Sequence, residues 1–86
     1  MFHLFARPKP CKIMSVLKDT ETAWHLSRLA KATDTTYVYV TNLVSKLEEE
    51  NILTVESRGK KRVVKLTEKG TKIANAIDEL RNSLES

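Results

Sequence analysis

The chain has 86 residues, 41% hydrophobic and 30% charged, with one Cys, two Gly, two Pro and two His. A chain of this size buries only about 60–65% of its unfolded surface, which supports one domain, spanning 1–86, with a single modest core. Two glycines exclude a Gly-rich phosphate loop, one cysteine excludes a disulfide framework or thiolate zinc site, and no apolar run approaches the roughly 18–20 residues of a membrane span.

The opening Met1-Phe2-His3-Leu4-Phe5-Ala6-Arg7-Pro8 is too short and too interrupted for a secretory signal, so the expected setting is the reducing cytoplasm. The net charge of +4 permits a polyanionic partner. Its distribution matters more than its size. Arg58-Gly59-Lys60-Lys61-Arg62-Val63-Val64-Lys65 carries five cations and no acid, whereas Glu48, Glu49, Glu50 and Glu56 form an acidic block just before it.

Residues 1–9 read as an N-terminal arm. Pro10 suits a first helical position, and Ile13, Val16 and Leu17 recur at helical spacing to about Lys18. Asp19-Thr20-Glu21-Thr22 reads as a turn, followed by a short extended stretch over Ala23-Trp24-His25. A second helix runs to about Ala32, with Leu26, Leu29 and Ala30 on one face and Ser27, Arg28 and Lys31 on the other. Thr33-Asp34-Thr35 is a tight connection of turn-type residues.

Thr36 is placed to cap a longer helix, in which Val40, Leu43, Val44 and Leu47 form one apolar stripe up to about Glu50. Asn51 suits a left-handed C-cap. Ile52–Glu56 and Arg62–Leu66 are rich in β-branched residues and flank 57–61, a hairpin with Gly59 near its tip. Thr67 caps a last helix, where Ile73, Ile77, Leu80 and Leu84 are spaced 4, 3 and 4 residues apart. The fold class is therefore mainly α with a small β-hairpin, in the order helix, strand, helix, turn, helix, hairpin, helix. Residues 10–66 form its core and 67–86 its terminal helix.

That order is a helix-turn-helix followed by a wing. Leu26-Ser27-Arg28-Leu29-Ala30-Lys31 and Leu47-Glu48-Glu49-Glu50-Asn51-Ile52-Leu53 resemble the winged helix-turn-helix of MarR-like and related prokaryotic transcription regulators. There an "L-S-x-L-A" helix leads to a recognition helix ending "K-L-E-E-x-G-hydrophobic". Val64-Lys65-Leu66-Thr67-Glu68-Lys69-Gly70 is similar to the family's wing exit, "V-x-L-T-x-K-G", and Leu4-Phe5 with Lys12-Ile13 resembles short archaeal-type regulators. The resemblance spans about residues 10–84. It departs where Asp34 and Asn51 stand in place of the usual Gly, although both types tolerate positive φ. It departs again in the recognition helix, which lacks an Arg.

The resemblance implies sequence-specific binding of double-stranded DNA, with helix 36–50 in the major groove and the basic wing 57–62 on the backbone or minor groove. Advancing 100° per residue from Val40 turns Val38, Asn42 and Ser45 away from the core, flanked by Thr41 and Lys46. No acid lies between Thr35 and Leu47. Asn42 can pair bidentately with adenine, and Val38 can meet a thymine methyl. Thr36 and the helix N-terminus suit a phosphate. Tyr37 and Tyr39 suit either a phosphate contact or half-buried packing. Arg58, Lys60, Lys61 and Arg62 supply salt-dependent contacts, with Arg58 the candidate for a narrow minor groove. The competing reading of Asn42 and Ser45 is an ordinary solvated helix face.

The stripe Ile73, Ile77, Leu80 and Leu84 matches a short coiled-coil seam. It serves either a homodimer, which matches a palindromic operator, or packing against the first helix and the Phe2/Phe5 segment. Cys11 reads as a small buried hydrophobe or a redox-sensing thiol, and Trp24 as a core plug. His3 and His25 have no metal-ligand spacing, so no metal and no cofactor are expected. No nucleophile, base and orienting acid can be assembled, so no catalysis is expected. The chain also lacks room for the extra helices that hold effectors in full-length MarR relatives. Two other functions fit the same fold: a protein-interaction module in a transcription or replication assembly, and a nonspecific chromatin-like DNA-binding protein.

Overall fold

The computed structural model describes residues 5–85. Helix α1 (Pro8–Leu17) starts two residues earlier than its spacing predicts, because Pro8 and Pro10 both fall in the first turn, where backbone N–H groups have no helical partner. The arm therefore ends at Arg7, and Met1 to Leu4, with Phe2 and His3, lie outside the described residues. Helix α2 (Leu26–Ala32), helix α3 (Tyr37–Glu49), strand β1 (Leu53–Arg58), strand β2 (Lys61–Leu66) and helix α4 (Glu68–Glu85) follow.

The strand expected over Ala23–His25 is reduced to a single bridge. His25 pairs with Val63, and the Val64 N–H donates to the Trp24 carbonyl at 2.8 Å. His25 stands at the N-cap position of α2 with extended backbone, and the chain turns helical at the next residue. Trp24 is half-buried against the core, and its indole N–H donates to the Asp19 carbonyl at 3.0 Å.

The five-residue hairpin loop expected over 57–61 is also shorter. Ser57 pairs with Arg62 and Arg58 with Lys61, leaving only Gly59-Lys60 as the turn. Gly59 has φ +61° at the first of the two central positions, as a type II′ turn requires. The wing cations Arg58, Lys61 and Arg62 thus sit on paired strands, where their directions are set.

Ile13, Met14, Leu29, Val40, Leu47, Ile52, Leu53, Val64 and Ala74 are almost wholly buried. Both helix ends of the helix-turn-helix close with paired hydrogen bonds. At the end of α2 the N–H groups of Asp34 and Thr35 reach the Lys31 and Ala30 carbonyls at 3.3 and 3.0 Å. At the end of α3 those of Asn51 and Ile52 reach Glu48 and Leu47 at 3.1 and 2.9 Å. This is the Schellman pattern, and it demands a left-handed residue after the cap. Asp34 (φ 54°) and Asn51 (φ 60°) supply it where glycine is usual.

Thr67 joins α3 to α4. Its hydroxyl caps α4 by accepting from the Gly70 N–H at 3.0 Å, and it lies within donating distance of the Asn51 and Ile52 carbonyls, at 2.6 and 2.9 Å. The Thr67 N–H donates to the Ile52 carbonyl at 3.0 Å. Gly70 packs so closely on that carbonyl that a Cβ would overlap its oxygen. Gly70→Ala is expected to destabilise the fold by at least about 2 kcal/mol in chemical denaturation, since backbone must move to admit the methyl.

A polar clamp fixes α4 across α1. The Asp78 carboxylate accepts from the Ser15 hydroxyl at 2.7 Å and the Lys18 ammonium at 2.6 Å, while Arg81 donates to the Ser15 oxygen at 3.0 Å. These hydrogen bonds, Lys18 first, hold the Asp78 carboxyl below its ordinary pKa. A carboxyl whose pKa is depressed by folding stabilises the fold at neutral pH, and this contribution fades as pH falls through the folded value. Asp78→Asn is therefore expected to cost about 1 kcal/mol at pH 7, with the difference from wild type starting to shrink near about pH 4 and lost below the folded value. Thermal melts across that range measure it.

Candidate nucleic-acid interface

The stripe Val40, Leu43, Val44 and Leu47 turns inward on α3 and fixes what the opposite face presents. Val38 is 67% exposed, and Asn42, Ser45 and Lys46 are exposed beside it. Thr41 is half-buried, and its hydroxyl donates back to the Tyr37 carbonyl at 2.8 Å. Thr36 caps α3, its oxygen accepting from the Tyr39 N–H at 3.0 Å. A hydroxyl that accepts there can still donate its hydrogen to a phosphate oxygen.

The two tyrosines divide. Tyr37 is 54% exposed, whereas Tyr39 is half-buried with the Lys9 ammonium 5.5 Å from its ring centroid. Tyr39 is a packing residue that ties α1 to α3 through a cation–π contact.

The hairpin register sorts the wing cations. Paired residues of an antiparallel ladder share a face, so Arg62 lies with Ser57, and Lys61 with Arg58. Arg62 and Ser57 line a cleft of about 210 Å³ with Thr41, Ser45 and Glu48 of α3. Arg58 donates to the Glu56 carboxylate at 3.2 Å, and Lys65 stands 3.9 Å from the same oxygen. Glu56 therefore engages two of the five cations with one negative charge, and Lys60, Lys61 and Arg62 remain as exposed charge beside α3.

A second cleft, of about 230 Å³, opens where the wing meets the helix-turn-helix. Lys60, Lys61, Arg62 and Tyr37 line it together with His25 and Ser27, two residues the sequence did not single out. The only signal for them was adjacency to the bridge between 25 and 63, which becomes visible once the chain is folded.

The remaining candidates lie elsewhere. Ile73 and Ile77 pack on the core, whereas Leu80 and Leu84 are 62% and 77% exposed. Leu80 and Leu84 border an apolar trough of about 240 Å³ with Phe5, Cys11 and Ile77. The Cys11 thiol donates to the Phe5 carbonyl at 2.8 Å, and burial pushes its pKa up, although Arg81 opposes this. Such a thiol is mostly protonated at neutral pH. A cleft of about 360 Å³ lies between Leu17, Trp24, Val64, Leu66 and Asn75, and α3 contributes nothing to it. Among the described residues no helix is long and apolar enough to cross a membrane.

Two helices joined by a tight turn, with a basic hairpin set beside the second, define a winged helix-turn-helix. The chain belongs to the family of the DUF6293 C-terminal winged helix domain, which matches residues 10–78. No curated protein sequence matches it significantly. Its fold is similar to that of AF1382 from Archaeoglobus fulgidus, at 23% identity and a TM-score of 0.87 over 93% of this chain and 91% of that one. It is similar to the MarR family transcriptional regulator SPO1453 from Silicibacter pomeroyi, at 23% identity and a TM-score of 0.79 over 98% of this chain; it spans 62% of that protein's length. Sso10a-2, a DNA-binding protein from Sulfolobus solfataricus, matches at 19% identity and a TM-score of 0.74, with 92% of this chain and 83% of that one covered.

Exposure separates the outward face of α3 from its core face energetically. Alanine at Val38, Asn42 or Ser45 is expected to change stability by less than about 0.5 kcal/mol, whereas Leu43→Ala costs about 2–5 kcal/mol. Denaturant midpoints compare the four, and they qualify the surface variants for binding measurements.

Proposed function

We propose that the protein is a double-stranded DNA-binding transcriptional regulator that acts without catalysis, by occlusion or recruitment at a promoter. The observation that carries this reading is the pairing of an acid-free, outward face at the start of α3 with the exposed cations Lys60, Lys61 and Arg62 beside it. An α-helix enters the major groove with its N-terminal turns deepest, which puts Val38, Thr41, Asn42 and Ser45 toward base edges. Asn42 reads adenine, Val38 meets a thymine methyl, and Thr36, Tyr37 and Lys46 reach phosphates. The wing crosses the adjacent backbone and supplies most of the affinity. Arg58 contributes less than its wing neighbours, because Glu56 holds it.

The same reading takes the active form as a homodimer. Leu80 and Leu84 form the seam there, continuing the stripe of Ile73 and Ile77, which are turned toward their own core. A two-fold protein matches a palindromic operator. The exposed Tyr37 and Val38 also fit a protein-interaction surface, and that is the second reading.

Fluorescence anisotropy with the protein's own upstream region and a scrambled duplex, at several salt concentrations, tests all three functions. Preference for the upstream duplex is expected, lost in Asn42→Ala, with the salt slope lowered by about one for each of Lys60→Ala and Lys61→Ala. Equal binding to both duplexes indicates a chromatin-like protein. No binding at low salt indicates a protein-interaction module.

A further inference from the structure

The cleft between wing and helix-turn-helix draws on three parts of the chain. His25 and Ser27 come from the start of α2, Tyr37 from the start of α3, and Lys60, Lys61 and Arg62 from the wing. The His25 backbone is held by its bridge to Val63, and its Nδ1 lies 3.3 Å from the Ser27 hydroxyl. Every charged side chain that lines the cleft is a cation, and Arg28 adds another from α2. Glu56, the acid on the nearby strand, is already engaged by Arg58 and Lys65. Glu48 shares the adjoining cleft with Arg62 but does not line this one. Cations gathered around two hydroxyls and an imidazole, with no carboxylate in the lining, suit a tetrahedral oxyanion.

We propose that this cleft is a phosphate-binding site for the DNA backbone and that His25 takes up a proton as it receives the phosphate, so that DNA binding strengthens on acidification. The inference rests on the DNA-binding reading above and adds to it a contact residue and a pH response.

The sign follows from the surroundings. In the free protein, desolvation, then Lys61, then Arg28, all hold His25 below its ordinary pKa, which leaves the ring neutral at pH 7. Lys60, Arg62 and Tyr37 face the same cleft, which no carboxylate lines. A bound phosphate supplies the missing negative charge and favours the imidazolium, which can then donate from both ring nitrogens. The affinity gain is complete below the free-state pKa and is lost as pH rises through the DNA-bound value.

The test is duplex binding between pH 6 and 8 at fixed ionic strength, with the full chain. Affinity is expected to rise about tenfold for each unit by which binding lifts the His25 pKa, with one proton taken up at most. His25→Gln is expected to flatten the dependence, and His3→Gln to keep it. NMR of the His25 ring protons provides a second reading, independent of any variant: its titration midpoint moves up when duplex is added, and also with inorganic phosphate alone. Duplex binding that is independent of pH, or a dependence that survives His25→Gln, overturns the inference. Phosphate that leaves the His25 titration unmoved overturns it too. Absence of duplex binding at every pH, with His25 still responding to phosphate, instead overturns the DNA reading and leaves the cleft as an anion site.

Discussion

The carbonyl oxygen of Ile52 accepts from both the N–H and the hydroxyl of Thr67, and Gly70 packs directly over it. Most of the molecule's geometry passes through this point. Ile52 closes the Schellman turn of α3, so its position fixes how that helix ends. Leu53 begins the wing one residue later, so the same oxygen fixes where the hairpin starts. Thr67 caps α4, so the last helix departs from the same place. Lys69 adds a bond from its ammonium to the Glu50 carbonyl at 3.0 Å. A threonine and a glycine thus add backbone contacts to the packing of a small core in orienting three elements.

Charge is partitioned with similar economy. The acidic end of α3, Glu48 to Glu50, lies at the opposite end of the helix from Thr36, and Glu56 absorbs Arg58 and Lys65 on one face of the wing. Near the start of α3, Lys60, Lys61 and the Arg28 of α2 make no ion pair among the described residues, while Arg62 also lines the neighbouring cleft with Glu48. Net charge alone conveys none of this, because a sum over the sequence cancels charges that the fold keeps apart.

Much of this was legible in the sequence because it rests on local rules. The 3.6-residue stripe of α3, the Thr36 and Thr67 caps, and the left-handed Asp34 and Asn51 each depend on a handful of consecutive residues. What the sequence did not show is long-range. The Ser15, Lys18, Asp78 and Arg81 clamp joins residues about sixty positions apart, and nothing in either segment names the other. The expected strand over Ala23–His25 shrank to a bridge, with the chain turning helical at the residue after His25. The hairpin loop was read too long because Ser57 and Arg58 carry turn-like and charged side chains, yet cross-strand pairing with Arg62 and Lys61 overrides that preference. His25 and Ser27 entered the candidate site for the same reason: only the folded chain brings them to the wing.

Helix α4 is held to its own domain by Gly70, Ala74 and a polar clamp that reaches Arg81, while Leu80 and Leu84 stand exposed on its last turns. The helix thus behaves as a spindle fixed up to the clamp. Each residue inserted between Arg81 and Leu84 turns Leu84 by about 100° and advances it by about 1.5 Å, while the clamp and the wing stay where they are. The number of residues past the clamp therefore sets the rotational phase of anything seated on Leu84 relative to the face of α3. Relatives of this fold could re-aim a partner by a one-residue change in the tail, without altering a single residue of the helix-turn-helix.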